Sequence, residues 1–284
     1  MVAAVLRGKH LHYDWDDWEV KIYEVSTQPG FLRNLIRKFL SILENTIPKA
    51  ADTISVTSQR LKTECKAMIG TRQAIYDAHV GADLDRFNPS ISGAPVREKY
   101  RISKPLVIYL GQLHGGQYVE LFIQTAAQLI HNFHKDFTFM IVGDGYMAED
   151  LKKKSTEMHL DGSLIFTGAV SHESVPQYIA AADVCVACFE ENEVTICKSP
   201  LKIVEYLACG KAIVASRVGE VPEMLQDAGI LTIPGDSDSL ASGIIKVLSD
   251  PEFKNKIQST ARKRSEEKYN WEVTASNILR AYKS

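Results

Sequence analysis

From about residue 104 onward, short apolar runs alternate with amphipathic stretches along the chain. This alternation is typical of parallel strands connected by helices. The predicted strands cover Leu106–Leu110, Phe137–Val142, Ser163–Phe166, Asp183–Ala187, Ala212–Ala215 and Ile230–Ile233. The predicted helices lie near 119–132, 146–158, 173–181, 200–209, 221–226 and 238–249. The pattern therefore predicts one complete doubly wound α/β domain.

The first hundred residues follow a similar pattern with fewer elements. Strands are predicted over Lys9–Tyr13, Thr53–Thr57 and Gln73–His79, and one long helix over Phe31–Leu43. On one side this helix carries the apolar residues Phe31, Leu32, Leu35, Ile36, Phe39, Leu40 and Leu43, with Arg33, Arg37 and Lys38 elsewhere. Two interpretations stay open: the helix packs on its own sheet, or its basic amphipathic surface lies on an anionic membrane.

Composition narrows the class of protein. The chain has 284 residues, of which 45% are hydrophobic and 24% charged, and this length allows two domains. A formal net charge of -2 argues against a nucleic-acid partner, which requires a clustered excess of Lys and Arg. No window approaches the roughly 18 apolar residues of a membrane span. We therefore expect a cytoplasmic protein, with peripheral membrane contact through residues 31–43 as the alternative.

The five cysteines are Cys65, Cys185, Cys188, Cys197 and Cys209. An odd number of cysteines in apolar surroundings is typical of reduced intracellular thiols. Cys185 and Cys188 form a Cys-x-x-Cys pair, but they lie in a predicted strand. Residues three apart in a strand point to opposite faces, so we expect two buried thiols here and no metal site.

The most informative segment is the helix predicted over 200–209. Ser199 is its predicted N-cap and Pro200 its first residue, and Gly210 ends it before a buried strand. The first amides of a helix lack internal acceptors and lie at the positive end of its dipole, so they attract phosphate.

Spacing divides the side chains of this helix into two groups. Ser199, Lys202 and Glu205 recur every three residues and are predicted to share one face. The opposite, core-facing group is predicted to contain Leu201, Val204 and Ala208. A lysine for phosphate beside a carboxylate for a ribose diol predicts a nucleotide site.

Glycine-containing turns follow three of the predicted strands. They are Gly111–Gly116, Gly143–Gly145 and the turn at Gly168. Ligands of open parallel sheets bind outside the carboxyl ends of the strands, where glycine lets backbone approach phosphate closely. The three turns therefore support a ligand site on the same edge as the helix start.

An acidic cluster with two tryptophans, Tyr13–Glu19, follows the first predicted strand. Asp14, Asp16 and Asp17 with neighbouring tryptophan rings suit contact with a sugar or an acceptor, because the rings stack on apolar sugar faces and the carboxylates accept from hydroxyls. A solvated loop and a divalent-metal site are the alternatives, although EF-hand spacing is absent from the sequence.

Several motifs together resemble a known family. Ser199–Lys202, Glu205–Lys211, Val218–Glu223, Gly229–Asp236 and Trp271 look like the nucleotide-binding half of a GT-B glycosyltransferase of family four. Val80–Pro89 resembles the inter-domain junction of that family and Ala50–Ser58 the strand before it. The final segment, Tyr269–Tyr282, resembles the tail helix that crosses back to the first domain. The resemblance covers nearly the whole chain.

The resemblance implies a GT-B fold with a partial N-terminal Rossmann-like domain over residues 1–100, a complete nucleotide-sugar-binding domain over 101–265 and a tail helix over 266–284. It implies transfer of a sugar from a nucleotide diphosphate-sugar to a glycan, lipid or small-molecule acceptor, with retained anomeric configuration and without a cofactor or required metal. The donor would bind the C-terminal domain and the acceptor the N-terminal one, with Asp14, Asp16 and Asp17 on the acceptor side.

Carried over position by position, the resemblance assigns the donor site. Glu205 would accept from the ribose hydroxyls, and Lys202 with the backbone of Ser199, Pro200 and Leu201 would hold the diphosphate. Glu205 and Lys202 are the expected catalytic residues. The remaining donor-side positions are Gly111, Gln112, Gln117, Gly143 and Gly168.

Three departures from the family pattern favour a second hypothesis, a non-catalytic nucleotide-sugar-binding subunit or truncated remnant. The chain begins partway through the acceptor domain, so a second polypeptide is a candidate partner that completes it. Gln112 and Gln117 stand where the family places cations. Cys197 stands where the family places its first glutamate, although Glu190, Glu191 and Glu193 lie just upstream.

Overall fold

The computed structural model describes residues 8–70, 72–113 and 118–283. Its larger sheet consists of six parallel strands in the C-terminal part of the chain. In chain order they are β4 (Leu106–Leu110), β5 (Thr138–Val142), β6 (Leu164–Phe166), β7 (Val184–Ala187), β8 (Ile213–Ser216) and β9 (Gly229–Thr232). Their spatial order is β6-β5-β4-β7-β8-β9. This is the doubly wound order, and its direction reverses between β4 and β7.

The smaller sheet also consists of parallel strands and lies in the N-terminal part. It is formed by β1 (His12–Trp15), β2 (Thr53–Val56) and β3 (Ala74–Asp77), in that spatial order. Among the described strands β1 pairs only with β2, so one of its edges carries no ladder hydrogen bonds. An α/β fold with two parallel sheets agrees with the predicted class.

Twelve α-helices lie in the described parts of the chain. In chain order they are α1 (Glu19–Ser26), α2 (Phe31–Ala50), α3 (Gln59–Ile69), α4 (Ala94–Lys99), α5 (Val119–His131), α6 (Ala148–Glu157), α7 (Val175–Ala181), α8 (Leu201–Ala208), α9 (Val221–Leu225), α10 (Ser237–Ser249), α11 (Pro251–Glu267) and α12 (Trp271–Lys283). A short 3-10 turn, Thr195–Cys197, precedes α8.

Hydrophobic packing on both faces of the six-stranded sheet fixes the helices around it. Ile108 and Cys185 belong to the core shared with α8 and α9, whereas Val107 and Cys188 belong to the core shared with α5 and α10. Successive residues of a strand thus pack into two separate cores, because neighbouring side chains in a strand point to opposite faces of the sheet. The prediction that Cys185 and Cys188 point to opposite faces is confirmed.

The last helix returns to the N-terminal sheet. The Ala82 amide donates to the Tyr269 carbonyl at 3.0 Å, and the Thr274 hydroxyl donates to the His79 carbonyl at 2.6 Å. Farther along α12, the Tyr282 ring lies 4.8 Å from the His12 ring. The contacts fit the predicted crossing of the tail helix. The division at residues 1–100, 101–265 and 266–284 stays a prediction.

The N-terminal part differs most from expectation. Strand β1 begins at His12 where the sequence predicts Lys9, so Asp14 belongs to the strand and does not follow it. The helix predicted over 31–43 is longer in the structure and continues to Ala50. Pro48 lies inside its last turn and does not end it. Helices α1, α3, α4 and α11 were not predicted. Buried packing of Leu61 and Ile69 in α3 outweighs its high proportion of polar residues.

Candidate functional site

The carboxyl edges of the two sheets face each other across a cleft. The Ser58 hydroxyl, just after β2, donates to the Cys197 carbonyl at 2.8 Å. The neighbouring Gln59 amide donates at 2.8 Å to Oε2 of Glu220, which follows β8. Ligands of parallel sheets bind at these edges, so the cleft is the candidate ligand site.

The three glycine turns converge on one side of this cleft. The Gly111 amide donates to the Val142 carbonyl at 3.0 Å, and the Gly143 amide donates to the Gly168 carbonyl at 3.2 Å. A side chain at Gly143 would overlap the Gly111 carbonyl, and its φ of 143° also favours glycine. The three turns therefore contact one another at the carboxyl ends of β4, β5 and β6. Gln112 is exposed beside them, and Gln117 lies outside the described residues.

Helix α8 starts at the same edge, one residue later than predicted. Pro200 is the N-cap residue, its ψ of 117° being extended, and the Ile203 amide donates to its carbonyl at 3.0 Å. The prediction of a Ser199 cap is therefore wrong. The Ser199 hydroxyl is instead buried with no hydrogen-bond partner among the described residues. A phosphate oxygen near this helix start would satisfy the orphaned hydroxyl.

Lys202 projects from the first turn of α8 toward the glycine turns. Its Nζ donates to the Tyr109 hydroxyl at 3.1 Å and lies 4.2 Å from the centre of the Tyr109 ring. A Cβ atom placed on Gly111 would lie 2.8 Å from the same Nζ. Burial lowers the pKa of Lys202 to about 8, and the positive charge of Lys198 adds to this shift. The ammonium group is thus positioned between the β4 turn and the helix start.

Glu205 lies one turn farther along α8. Its side chain has no hydrogen bond or ion pair in the part of the chain that the structure describes, although only 6% of the residue is exposed. Burial raises the pKa of Glu205 to about 7, and the nearby charge of Lys202 opposes this shift only partly. A desolvated carboxylate of this kind gains from two hydroxyl donors, which a ribose diol provides.

The burial of the other α8 side chains agrees only in part with the predicted core-facing side of this helix. Val204 and Ala208 are buried as predicted, but Leu201 is 46% exposed. Tyr206, which the sequence did not single out, fixes the helix to the sheet: the Leu110 amide donates to its hydroxyl at 3.1 Å, and that hydroxyl donates to the Val186 carbonyl at 3.5 Å. It thereby holds α8 at the carboxyl ends of the paired strands β4 and β7, where the strand order reverses.

Tyr109 is a second functional residue that sequence reasoning missed. It is fully buried in β4, and its hydroxyl accepts from Lys202. The available signal was a tyrosine inside an otherwise aliphatic strand, because a buried phenol requires a hydrogen-bond partner.

The acidic residues of the N-terminal part lie across the cleft. Asp14 accepts a hydrogen bond from the Ser55 hydroxyl on the neighbouring strand. Burial raises the pKa of both Asp16 and Asp17, and the charge of Lys198 partly offsets the shift at Asp17. Lys198 precedes α8, so Asp17 faces the start of the donor-side helix. The predicted stacking of tryptophan on sugar does not hold for Trp15, which is buried in the core.

The position of Cys197 supports the departure noted in the sequence. Cys197 is buried, and its carbonyl accepts from Ser58. Of the upstream glutamates, Glu193 pairs with Lys21 at 2.7 Å. The segment that follows Glu193 is held by Asn192, whose side-chain oxygen accepts from the Val194 and Thr195 amides at 3.0 Å. This loop therefore connects the two halves of the molecule.

Thiol and metal chemistry find little support in the described residues. All five cysteines are free and buried, and burial raises the pKa of Cys209 to about 12. Within residues 8–70, 72–113 and 118–283, no three His, Cys, Asp or Glu side chains are arranged to hold a metal ion.

Comparisons with known proteins agree with the fold. A family model described as "Glycosyl transferases group 1" matches residues 104–250 of the 284. The chain is 25% identical over 244 residues to alpha-D-kanosaminyltransferase from Streptomyces kanamyceticus, covering 84% of this chain and 62% of that protein. It is 25% identical over 234 residues to a GDP-mannose-dependent alpha-(1-6)-phosphatidylinositol monomannoside mannosyltransferase from Mycolicibacterium smegmatis, covering 80% of this chain and 61% of that protein.

Solved structures show the same fold at low identity. Sucrose-phosphate synthase from Thermosynechococcus elongatus superposes with a TM-score of 0.78 at 22% identity, over 99% of this chain and 70% of that one. Anabaena HepE in complex with UDP and glucose superposes with a TM-score of 0.79 at 20% identity, over 98% of this chain and 73% of that one. The chain thus has the GT-B fold, and it spans about three fifths of the length of the two relatives named above.

Proposed function

The chain belongs to the group 1 glycosyl transferases, and we propose that it transfers a sugar from a nucleotide diphosphate-sugar to a hydroxyl acceptor with retention of anomeric configuration. The observation that carries this proposal is the pair formed by Lys202 and Glu205, buried at the carboxyl edge of the sheet beside the glycine turns. Two relatives named as sugar transferases, and a neighbouring structure containing UDP and glucose, support it.

The proposed chemistry places the charge that develops on the leaving group beside Lys202. The bond between the anomeric carbon and the diphosphate oxygen breaks, and its electron pair stays on the diphosphate. A new bond forms from the acceptor oxygen to the same carbon, and the acceptor proton passes to the departing diphosphate. A preorganised ammonium at the start of a helix stabilises that charge without reorganising solvent.

In the proposed complex the donor nucleotide lies along α8. Glu205 accepts from the ribose hydroxyls, and the backbone of Ser199, Pro200 and Leu201 surrounds the diphosphate together with Gly111 and Gly143. Gln112 contributes a neutral hydrogen bond, about half as strong as that of a cation. Asp14, Asp16 and Asp17 are the proposed acceptor-side contacts, of which Asp17 faces Lys198.

Transfer is tested with radiolabelled UDP- and GDP-sugars and hydroxyl acceptors of the three classes: glycan, lipid and small molecule. We expect one donor to give a labelled product whose anomeric configuration, determined by NMR, equals that of the donor. An inverted product would refute retention alone. The absence of product and of donor hydrolysis, despite measurable nucleotide binding, would refute the enzyme.

A nucleotide-sugar-binding subunit without catalysis is the second candidate. The observation that favours it is Cys197, a buried thiol at the position where the family resemblance expects a glutamate. In that case nucleotide affinity would persist without turnover. Repeating the assay with a second polypeptide that completes the acceptor side would separate a subunit of an active complex from an inactive remnant.

We also propose that α2 lies on an anionic membrane. None of the described helices is long and apolar enough to cross a bilayer. The apolar side of α2 is nonetheless turned outward, since Phe31 is 88% and Phe39 59% exposed. The expectation that this stripe packs on its own sheet is thus wrong for its first half. Exposed Lys38 supplies positive charge, whereas the nearby Arg37 pairs with Glu24 at 3.3 Å. One relative is named for a phosphatidylinositol-linked substrate.

Vesicle flotation tests this contact. We expect the protein to float with vesicles containing phosphatidylglycerol, less at high salt, and the double substitution Phe31→Ser and Phe39→Ser to weaken partitioning at least tenfold, because each buried phenylalanine contributes about 1.5–3 kcal/mol. Phe133→Ser is the matched control, being a partly exposed phenylalanine on the other half. If the wild-type protein fails to float, the proposal is wrong. Salt-insensitive self-association would instead indicate a protein partner on the same face.

A further inference from the structure

A cavity of about 690 Å³ lies at the opposite edge of the six-stranded sheet. It is lined by residues that precede β4, β7 and β8 and by the first turns of α11. The donor side lies at the carboxyl ends of these strands, and a five-residue strand such as β4 spans about 16 Å at about 3.3 Å per residue. The cavity is therefore separate from the cleft.

Positive side chains dominate the walls of this cavity. Four cations, Arg97, Lys104, Lys211 and Lys254, line it together with the single carboxylate of Asp183. Asp183 is already saturated: it pairs with Arg97 at 2.5 Å and with Lys254 at 3.0 Å, and it accepts from the Leu106 amide at 2.9 Å. Lys104 pairs at 2.5 Å with Asp136, which lies outside the cavity.

Lys211 is the cation that this network does not neutralise. Its Nζ donates to the Ala180 carbonyl at 3.0 Å, and among the described residues no carboxylate lies within ion-pair distance. An ammonium group has three protons to donate, so Lys211 can donate to a ligand in the cavity as well as to the Ala180 carbonyl. Burial lowers the pKa of Lys211, and the nearby charge of Asp183 opposes this shift only partly. An anion in the cavity would supply both the charge and the acceptors.

We propose that this cavity binds a small phosphate-bearing anion, held by Lys211, Lys254 and Arg97. Counting Asp136, the four cations face two carboxylates, which leaves an excess of two positive charges for the ligand. Lysine ammonium groups and an arginine fork are the groups that proteins use for phosphate. The volume falls in the range of about 300–1,000 Å³ typical of small-molecule sites.

Calorimetric titration with inorganic pyrophosphate and with orthophosphate, at ionic strength matched by sodium chloride, tests the site. We expect Lys211→Met to weaken pyrophosphate binding at least tenfold and Lys254→Gln to weaken it several-fold. Lys256→Met, an exposed lysine on the same helix α11, is the matched control and should change nothing. Melting temperatures without ligand show whether each variant is folded.

The donor cleft also attracts diphosphate, so Lys202→Met is measured in parallel. Binding that survives Lys202→Met and disappears in Lys211→Met supports the cavity, whether or not the protein transfers sugar. Binding lost in Lys202→Met and unchanged in folded Lys211→Met and Lys254→Gln would overturn the proposal. Equal binding of sodium sulfate and pyrophosphate would also overturn it, because a site for phosphate esters must prefer the more highly charged anion.

Discussion

Substitution of Lys202 by methionine is expected to lower sugar transfer by about 10²–10³-fold, the usual effect of removing one group that stabilises developing charge. Methionine keeps the length of the side chain and removes its charge. The loss should appear in kcat as well as in kcat/KM, because charge on the diphosphate develops most in the transition state. Radiolabelled transfer under saturating donor measures it.

Lys202→Met is also expected to change the thermal stability of the protein. The pKa of Lys202 is lowered from 10.5 to about 8, so the folded protein resists its charging as pH falls through this interval. Lys202→Met removes that cost, and its melting temperature at pH 7 should equal or exceed that of the wild type. Lys256→Met should change neither activity nor melting temperature. A folded Lys202→Met variant with unchanged kcat would exclude the proposed role of the ammonium group.

Substitution of Glu205 by glutamine is expected to weaken nucleotide binding about 10- to 100-fold. Hydrogen bonds to a charged acceptor contribute about 1.5–3 kcal/mol each, and an amide can accept from the ribose only with its single carbonyl oxygen. Isothermal titration with the preferred nucleotide diphosphate measures the loss. Glu252→Gln, at an exposed position of helix α11, is the control. Unchanged affinity in Glu205→Gln would place the ribose elsewhere.

The pH dependence of binding distinguishes the two residues. Glu205 has a pKa raised to about 7 and accepts from hydroxyls as the carboxylate, so affinity should rise as pH rises through about 7. Lys202 has a pKa of about 8 and attracts diphosphate as the ammonium, so affinity should fall above about 8. The wild-type profile is therefore bell-shaped. Glu205→Gln should remove its acidic limb and Lys202→Met its alkaline limb.

Glu205→Gln should also stabilise the free protein. Because the folded-state pKa is raised above 4.5, the wild type loses stability as pH rises from about 4.5 to about 7. The variant lacks this loss, which amounts to at most about 3.5 kcal/mol at about 1.4 kcal/mol per pKa unit. Its advantage in melting temperature should be largest above pH 7 and shrink toward pH 4.5. Such an exchange of stability for binding is expected of a functional site.

The sequence sufficed for elements with a strong period and clear ends. Leu106–Leu110 is an unbroken apolar run followed by glycine, and its bounds agree with the structure. Buried strands in a doubly wound sheet are apolar on both faces, so their signal does not depend on the neighbouring elements. The meeting of the turns at Gly111, Gly143 and Gly168 followed from the same reasoning, because parallel strands end on one edge.

Local pattern failed where packing decides. Helix α3 is mostly polar and is held by three buried residues, Leu61, Cys65 and Ile69. The apolar stripe of α2 was recognised in the sequence. Whether this stripe is buried depends on which elements pack against it, and in the structure Phe31 and Phe39 are exposed. Ser199 is a residue type that often caps helices, but in the structure the backbone of Pro200 is extended and Pro200 is the N-cap residue.

By itself the sequence determined the α/β class, the family and the presence of a lysine and a glutamate one turn apart on the helix beside the glycine turns. These depend on residue order and on periods of two and 3.6, which are local properties. Only the tertiary structure decided that Lys202 contacts Tyr109, that Glu205 is buried without a hydrogen-bond partner among the described residues, and that the Cys197 carbonyl accepts from Ser58. Burial and pairing depend on residues far apart in the chain, and they set the pKa values from which the chemistry follows.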